Sequence, residues 1–189
     1  MISQRQGDPD RPRPRIYLAG PDVFLPDRDS IFAAMKAHCM RLGLIGVAPT
    51  DAPLALPSPS SDDAQAQAIY EGNVALIREA NGVIANLVSF RGLEPDAGTV
   101  FEVGYAIALG KPVVGYGVPP GSYADRVQAA VACRRDAAGE VTEAATGTVV
   151  EGLGQPLNLM LSRSIDLAPT AALAIEMLAK QLEAPRSTL

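Results

Sequence analysis

The stretch Gly82-Val83-Ile84-Ala85-Asn86-Leu87-Val88 decides the fold class of this chain. It is a short, almost uninterrupted apolar run, which is the pattern of a strand that is buried on both of its faces. Such strands occur almost only in parallel sheets, because the helices that connect parallel strands cover both faces of the sheet. The stretch therefore predicts the central strand of a parallel α/β sheet.

Strands and helices alternate on both sides of this stretch. Further strands are predicted at residues 16–20, 44–48, 112–116 and 164–167. Helices are predicted from an N-cap at Asp29 or Ser30 to Gly43, then at residues 62–80, 98–109 and 123–132, and finally after residue 167, with Pro169 in the first turn. A long loop is expected at residues 49–61 and a turn at 135–139. This alternation predicts an α/β fold, a doubly wound parallel sheet of about five strands with helices on both faces.

Length and composition indicate one folded domain. The chain has 189 residues, of which 48% are hydrophobic, and this is enough to form a core of its own. Residues 1–15 contain four arginines and three prolines and little that could be buried, so a disordered tail is expected there. A single domain is expected over residues 16–184, followed by a short C-terminal tail over residues 185–189.

The charge balance and the rare residue types exclude several classes of partner. Sixteen Lys+Arg against 21 Asp+Glu give a net charge of -5, which is the wrong sign for binding a nucleic acid polymer. No apolar run reaches the ~18 residues that a membrane helix needs, so a cytoplasmic protein without a membrane partner is expected. Cys39, Cys133 and the single His38 cannot together form a zinc site, and no metal is expected.

The candidate site follows from the predicted sheet. Ligands of doubly wound sheets bind at the carboxyl ends of strands where the strand order reverses, which points to the loops at residues 20–27 and 89–98. Glu102 is the one charged residue in the apolar run at residues 100–109, just after the second loop. It is either a nucleophile or acid/base group, or the partner of Thr99 in a capping box. The residues alone leave both readings open.

Asp96 lies six residues before Glu102, so both carboxylates can face one cleft. Carboxylates in different surroundings serve glycosyl transfer, in which one group attacks or shields an oxocarbenium-like C1 and another assists the leaving group or holds the sugar. The alternative for Asp96 is an ordinary helix N-cap. Gly98, between the two acids, permits either close approach of a ligand or a tight turn.

Three segments in one order resemble the nucleoside 2-deoxyribosyltransferase family. They are IYLAGPDVF at residues 16–24, DAGTVFEVGYAIALGKPV at residues 96–113 and PLNLM at residues 156–160. The resemblance covers most of residues 16–167 and implies a flavodoxin-like sheet. It also implies a double displacement in which Glu102 attacks C1′ of a 2′-deoxynucleoside, expels the base and passes the sugar to a second base. No cofactor is implied.

The resemblance further implies roles for individual residues. Tyr17 would orient the nucleophile, and Asp96 would hold the sugar on its hydroxyl side. Asn158 would enter the site of a neighbouring subunit, which implies a homo-oligomer, a dimer or a trimer of dimers, with shared active sites. The expected partners are a small-molecule 2′-deoxynucleoside and a free nucleobase. Further substrate-binding residues are expected at Gly20, Asp22, Phe24 and Gly98.

Two positions depart from the family pattern. Where many relatives place an aspartate that contacts or protonates the base, this sequence has Asn73, whose amide cannot transfer a proton in the same way. Asn73 is predicted on the core-facing stripe of its helix beside Ile69, either for base recognition or as a buried structural amide. The family's glutamine after the second strand is replaced near Pro53, with Asp51 as its candidate substitute.

Three functions stay open at this point. The first is 2-deoxyribosyl transfer between bases. The second is hydrolysis of a 2′-deoxynucleoside 5′-phosphate at its N-glycosidic bond, because related sheets with a Gly-Thr-x-x-Glu turn use water as acceptor. The third is a non-catalytic nucleoside-binding module, which Asn73 motivates. A phosphate pocket would distinguish the second from the first, and Asp96 is expected to repel a phosphate.

Overall fold

A computed structural model describes residues 12–52 and 61–184 of the chain. The first half contains β1 (Arg15–Ala19), α1 (Arg28–Arg41), β2 (Ile45–Val47), α2 (Asp62–Glu79), β3 (Gly82–Asn86) and α3 (Ala97–Ala108). The second half contains β4 (Val113–Tyr116), α4 (Tyr123–Ala130), β5 (Cys133–Arg135), β6 (Val141–Glu143), α5 (Leu159–Ser164), β7 (Asp166–Leu167) and α6 (Ala171–Glu183). Short 3₁₀ turns at Pro21–Phe24 and Pro49–Asp51 follow β1 and β2.

Five strands form one parallel sheet in the order β2-β1-β3-β4-β7. The central strand β3 pairs with β1 on one side and with β4 on the other. The chain moves outward from β1 to β2 and then returns to the other side of β1, so the direction of winding reverses between β1 and β3. This flavodoxin-like order confirms the predicted α/β fold with a doubly wound parallel sheet.

Each face of the sheet has its own core, because successive side chains of a strand point to opposite faces. Ile16 and Leu18 pack on the face that α1 and α6 cover, mainly with Phe32, Met35, Cys39, Ala174, Ile175 and Leu178. Tyr17 and Ala19 point to the opposite face, where α2, α3 and α5 contribute Leu76, Ile77, Val103, Ala106 and Leu161. The helices on both faces were predicted from the apolar pattern of β3.

Residues 117–157 form an additional unit between β4 and α5. Helix α4 and the antiparallel hairpin β5–β6 enclose a small core of Ala124, Val127, Val141 and Val150. Leu93, from the loop after β3, also packs against this core. The predicted helix and turn are present here, whereas the hairpin was not predicted. The unit therefore supports one of the two loops that the sequence places at the site.

Two helix starts differ from the prediction. The N-cap of α1 is Asp27 rather than Asp29 or Ser30, because the carbonyl of Asp27 already accepts the amide hydrogen bonds of the first turn. Helix α6 begins after Thr170, whose hydroxyl accepts a backbone amide of the first turn. Pro169 therefore precedes this helix instead of lying in its first turn.

The first strand, β1, begins one residue earlier than predicted. Arg15 belongs to β1 and not to the predicted tail over residues 1–15, because its N–H donates to Asn81 Oδ1 and its carbonyl accepts from the Asn81 amide. Residues 1–11, 53–60 and 185–189 lie outside the described residues, and so do most of the predicted tails and of the loop at residues 49–61. Among the described helices, none has the length and hydropathy of a membrane span.

Candidate active site

A side-chain hydrogen bond between Tyr17 and Glu102 joins the centre of β1 to α3. Among the described residues it is the one side-chain hydrogen bond between these two elements. The Tyr17 hydroxyl donates to Glu102 Oε1 over 2.5 Å. Tyr17 is 0% exposed, whereas Glu102 is partly exposed. Among residues 12–52 and 61–184, the second carboxylate oxygen of Glu102, Oε2, has no hydrogen-bond partner. The pair therefore holds one oxygen of the carboxylate and leaves the other to meet a ligand.

The surroundings of Glu102 make it titrate near neutral pH. Burial raises the pKa of Glu102 from its ordinary value of 4.5 to about 7, the hydrogen bond from Tyr17 opposes this rise, and the charge of Asp96 adds to it. Burial, together with the neighbouring Glu102 carboxylate, raises the pKa of Tyr17, so this phenol remains a hydrogen-bond donor. A carboxylate in this pKa range is suited to nucleophilic or acid/base chemistry.

Asp96 directly precedes α3 and lies at its N-terminus. Its Oδ2 accepts the backbone N–H of Thr99 at 2.9 Å and the Thr99 hydroxyl at 3.0 Å, so Asp96 is the N-cap. Thr99 is therefore the third residue of the helix, and a capping box between Thr99 and Glu102 does not form. A Cβ at Gly98 would lie 3.0 Å from Asp96 Oδ2, which explains a glycine there. Glu102 is thereby left without the structural role that the sequence allowed.

Asp22 is a buried carboxylate at the point where the strand order reverses. It is 4% exposed and lies in the turn after β1. Asn86, at the end of β3, donates its amide Nδ2 to Asp22 Oδ1 at 3.1 Å and to Oδ2 at 3.0 Å. A Cβ at Gly20 would lie 2.8 Å from Asn86 Cβ and closer still to Asp22. The turn therefore requires glycine at position 20, and Asn86 ties the two site loops together.

Phe24 and Phe90 stack across the two site loops. Their ring centroids are 5.5 Å apart with 19° between the planes, although Phe24 is 59% exposed. The Arg91 guanidinium lies 4.8 Å from the centroid of Phe90 and 5.6 Å from that of Phe24. Arg91 has a φ of 55°, the one positive φ of a non-glycine residue in the described ranges. The residue with this uncommon backbone conformation is thus also the one whose cation lies on the aromatic pair.

An apolar groove of about 650 Å³ lies between α3 and α5, and Glu102 is not among the α3 residues that line it. Its α3 wall consists of Ala97, Val100, Val103, Gly104 and Ile107, and Asn158, Met160, Leu161 and Ser164 stand opposite. Asn158 caps α5 through Oδ1 and donates Nδ2 to Glu151 Oε2 at 3.1 Å. Asn158 and Glu102 of one chain therefore lie on different sides of α3.

Comparison with known proteins bears on this geometry. A sequence model of the family described as Nucleoside 2-deoxyribosyltransferase matches residues 16–160. This range includes the Tyr17–Glu102 pair, the Asp96 cap and Asn158. The chain belongs to this nucleoside 2-deoxyribosyltransferase family. The resemblance that the three sequence segments indicate is thus confirmed.

Individual known proteins share different amounts of sequence and structure with this chain. The structure of a 2-desoxiribosyltransferase from Leishmania mexicana is similar with a TM-score of 0.69 and 30% identity, covering 88% of this chain and 97% of that one. A conserved protein from Enterococcus faecalis shares the fold, with a TM-score of 0.53 and 18% identity over 89% of this chain and 99% of that one. An uncharacterized Schizosaccharomyces pombe protein is 33% identical over 116 residues. These residues are 61% of this chain and 55% of that protein, so the chain spans about half the length of this curated relative.

The two departures from the family pattern lie in or next to α2. Asn73 is half-buried in α2, and its side-chain amide has no hydrogen-bond partner among the described residues. Ile69, expected on the same core stripe, is instead exposed, because the packed stripe of α2 begins further along at Val74. Asp51 is held by Lys36, whose Nζ donates to it at 2.7 Å, and by the Ala48 amide. Pro53 lies outside the described residues.

Sequence reasoning missed Asn86 and Arg91. Asn86 is the last residue of β3, and in the sequence it lies inside a longer apolar run. The run does not show where the strand stops, so the contact of the Asn86 amide with Asp22 could not be predicted. Arg91 lies in an irregular loop with no periodicity, so its stacking had no sequence signal beyond the adjacent Phe90. No group of three or more His, Cys, Asp or Glu side chains in residues 12–52 and 61–184 is arranged to hold a metal ion.

Proposed function

We propose that this protein transfers 2-deoxyribose between nucleobases through a covalent deoxyribosyl–Glu102 intermediate. The hydrogen bond from the Tyr17 hydroxyl to Glu102 carries the proposal, because it orients a carboxylate that titrates near pH 7 and leaves one oxygen unbonded in the described chain. Membership of the deoxyribosyltransferase family supports the same reaction class. The expected substrates are a 2′-deoxynucleoside and a free base.

The first half-reaction breaks the bond between C1′ and the base. Glu102 Oε2 forms a bond to C1′ as the glycosidic bond breaks, and the bonding electron pair leaves with the base. Positive charge develops on the sugar ring in the transition state, and a nearby carboxylate stabilises it. The departing base takes its proton from solvent. The second base then attacks C1′, the bond between C1′ and Oε2 breaks to regenerate the Glu102 carboxylate, and the N–H proton of this base passes to solvent. Because C1′ is inverted twice, the sugar retains its configuration.

The remaining site residues have separate tasks in this proposal. Asp96 contacts the sugar hydroxyls through Oδ1, since its Oδ2 is engaged by Thr99. Phe24 offers an exposed ring for stacking of the base, beside Gly20 and Asp22 at the same sheet edge. Asn73 recognises the base by hydrogen bonds rather than by proton transfer, because an amide is not an acid at neutral pH.

The proposal includes a homo-oligomer with shared active sites. Helix α3 carries a single charged residue, Glu102, and is otherwise mostly apolar, and a helix with this composition is normally covered on all sides. Its outer face nevertheless exposes Ala97, Gly104 and Phe101, the last at 50%. The neighbouring groove carries Asn158 at its rim. A second copy on this face would cover the apolar surface and bring Asn158 towards the partner's nucleophile.

Hydrolysis of a 5′-phosphorylated substrate is the less favoured alternative. A phosphate is commonly bound by free amides at a helix N-terminus. Here the N-terminus of α3 is capped by the Asp96 carboxylate, which takes the Thr99 N–H and brings a negative charge to the place where a phosphate would lie. The anionic cap therefore favours a substrate without phosphate.

The test is product analysis after incubation with 2′-deoxyinosine, with adenine present or omitted. Transfer predicts 2′-deoxyadenosine and hypoxanthine in the complete mixture, and neither product in quantity with the Glu102→Ala protein. Glu140→Ala is the matched control, because Glu140 is an exposed acid next to the hairpin turn, away from this site. Its activity should equal that of the wild type.

Each other result identifies a different function. Hypoxanthine and free deoxyribose in equal amounts, without 2′-deoxyadenosine, would establish water as the acceptor. Turnover of 2′-deoxyinosine 5′-phosphate but not of 2′-deoxyinosine would establish the nucleotide hydrolase. Saturable nucleoside binding without release of base, even at high protein concentration, would establish a binding module.

A further inference from the structure

The reaction above gives no task to the guanidinium of Arg91. It lies against the rings of Phe90 and Phe24 at 4.8 and 5.6 Å. Within residues 12–52 and 61–184 it forms neither an ion pair nor a hydrogen bond with a protein group. A guanidinium that stacks by its face keeps its in-plane N–H groups for other partners. Arg91 therefore has unused donors at the edge where the base is proposed to bind.

The chemistry of these donors selects their partner. Arginine has five N–H donors and no acceptor, and it favours two acceptors placed side by side. A 6-oxopurine presents such a pair in its O6 and N7 atoms. Adenine presents one acceptor and one amino donor on the same edge, and a pyrimidine has no N7. Of the nucleobases, hypoxanthine and guanine fit the guanidinium best.

We propose that Arg91 makes this protein selective for 6-oxopurine 2′-deoxynucleosides by donating paired hydrogen bonds to O6 and N7 of the base. The proposal deepens the proposed function and rests on it for the position of the base. The exposed ring of Phe24 supports the flat base, and Arg91 contacts the edge of the base from the neighbouring loop.

The same contact assists departure of the base. When the C1′–N bond breaks, the electron pair moves onto the purine, and its negative charge is shared by O6 and N7. Arg91 stabilises that charge by hydrogen bonds without losing its own proton, because the guanidinium does not deprotonate in proteins. This role complements Asn73, which cannot supply a proton.

A 5′-phosphate is a less suitable partner for the same cation. The cation belongs to a stack of two aromatic rings, which is a platform for a flat π-system. The loop that carries Arg91 also carries Glu94 and ends at Asp96, two carboxylates that would repel a phosphate. The structure thus favours the base over the phosphate, and the experiment separates them.

Binding is measured in the Glu102→Gln background, in which the nucleophile is removed and the nucleoside is not consumed. Titration calorimetry compares 2′-deoxyinosine, 7-deaza-2′-deoxyinosine and 2′-deoxyadenosine on this protein and on the Glu102→Gln, Arg91→Gln double variant. Replacing N7 by carbon, or exchanging the base for adenine, should weaken binding to the first protein on the order of 10- to 100-fold. On the double variant the three affinities should agree within about threefold.

Two further variants separate recognition from support of the fold. Arg91→Lys keeps the charge but cannot form the paired bonds, so it should recover only part of the selectivity. Arg134→Gln removes an exposed arginine of β5 far along the chain and should keep the full selectivity. If Arg91→Gln weakened the binding of all three nucleosides equally, Arg91 would only hold the aromatic stack, and the proposal would be overturned.

The remaining outcomes distinguish base recognition by Arg91 from phosphate binding and from failure of the proposed transferase activity. Tighter binding of 2′-deoxyinosine 5′-phosphate than of 2′-deoxyinosine, lost in Arg91→Gln, would assign the cation to the phosphate and overturn the proposal. Exchange activity that does not depend on Arg91 would overturn it while leaving the transferase intact. Absence of exchange in the wild type with guanine as well as with adenine as acceptor would reject the transferase. If binding still weakened on loss of N7 or on exchange of the base for adenine, Arg91 would remain the base-selecting residue.

Discussion

The pKa of Glu102 is set by opposing influences from its neighbours. Burial and the charge of Asp96 favour its protonated form, whereas the hydrogen bond from Tyr17 favours the carboxylate. The balance lies near neutral pH, so a modest change in any one partner changes the fraction of protein that carries the Glu102 carboxylate, the proposed nucleophile. The pH profile of the reaction is therefore a direct readout of this contact.

Replacement of Tyr17 by Phe should raise the pKa of Glu102, because the hydrogen bond that stabilises the carboxylate is lost. Activity rises with pH as Glu102 ionises, so the acid limb of kcat/KM should move to higher pH by about one unit, with partial recovery of activity above pH 8. Tyr70→Phe, at an exposed tyrosine of α2, is the control and should keep the wild-type profile. An unmoved acid limb in Tyr17→Phe would show that the bond does not tune the nucleophile.

Replacement of Glu102 by Gln should stabilise the fold in a pH-dependent way. The pKa of Glu102 is higher in the folded protein, about 7, than its ordinary value of 4.5. The stability it contributes is therefore complete below pH 4.5 and is lost as the pH rises through 7. Glu102→Gln does not ionise, so its free energy of unfolding should exceed that of the wild type by about 1–3 kcal/mol at pH 8 and by little at pH 4.5. Denaturant titrations at both pH values measure this, and a constant difference would contradict the assigned pKa.

Asp96, at the start of α3, has both a structural and an electrostatic role. Asp96 caps the helix and also places its charge near Glu102. An aspartate and an asparagine cap a helix equally well, but only the aspartate is charged. The two roles of Asp96 can therefore be separated by two substitutions.

Asp96→Ala should lower the free energy of unfolding by about 1 kcal/mol, whereas Asp96→Asn should retain most of it. Both substitutions remove the charge that raises the pKa of Glu102, so in both the acid limb of the pH profile should move to lower pH. Thermal unfolding and the pH dependence of exchange measure the two effects. A lower stability for Asn than for Ala would show that the cap is not what Asp96 contributes to the fold.

The sequence was informative where an element is long or strongly patterned. The apolar runs predicted β1, β3 and β4, and the glycine at position 43 ended α1 correctly. The hairpin β5–β6 was not predicted because its strands have three residues each, too few to show alternation. Helix α5 was not predicted because its six residues are too few to show a helical period. The contact of Tyr17 with Glu102 spans 85 positions, and only the family resemblance suggested it.

The exposed face of α3 leads to a prediction at the scale of the whole molecule. A Cβ at Gly104 would meet nothing within 4 Å in one chain, so Gly104→Arg should leave the folded subunit intact. It would place a large cation on the apolar face that the second copy is proposed to cover. Light scattering after size-exclusion chromatography should show a smaller particle than the wild type, with loss of exchange. Ala75→Arg on the exposed side of α2 is the control, and a monomeric wild type would refute the oligomer.

The proposed sharing of sites between subunits predicts a second result. Glu102→Ala and Asn158→Ala should each be inactive as pure proteins. After unfolding and refolding together, mixed oligomers contain sites with an intact Glu102 from one subunit and an intact Asn158 from the other. Exchange activity should therefore return in the mixture. Persistent inactivity would mean that each chain builds its site alone.

The position of α6 has a consequence for how the chain reaches its folded state. The strand β4 ends at Tyr116, and its neighbour β7 begins only at Asp166, after which α6 adds Ile175 and Leu178 to the core that β1 and β3 share with α1. A growing chain has therefore made four of the five strands long before it can close that face. We expect the amides of α6 to gain protection last in pulse-labelled hydrogen exchange, and the nascent protein to expose an apolar sheet face until α6 emerges.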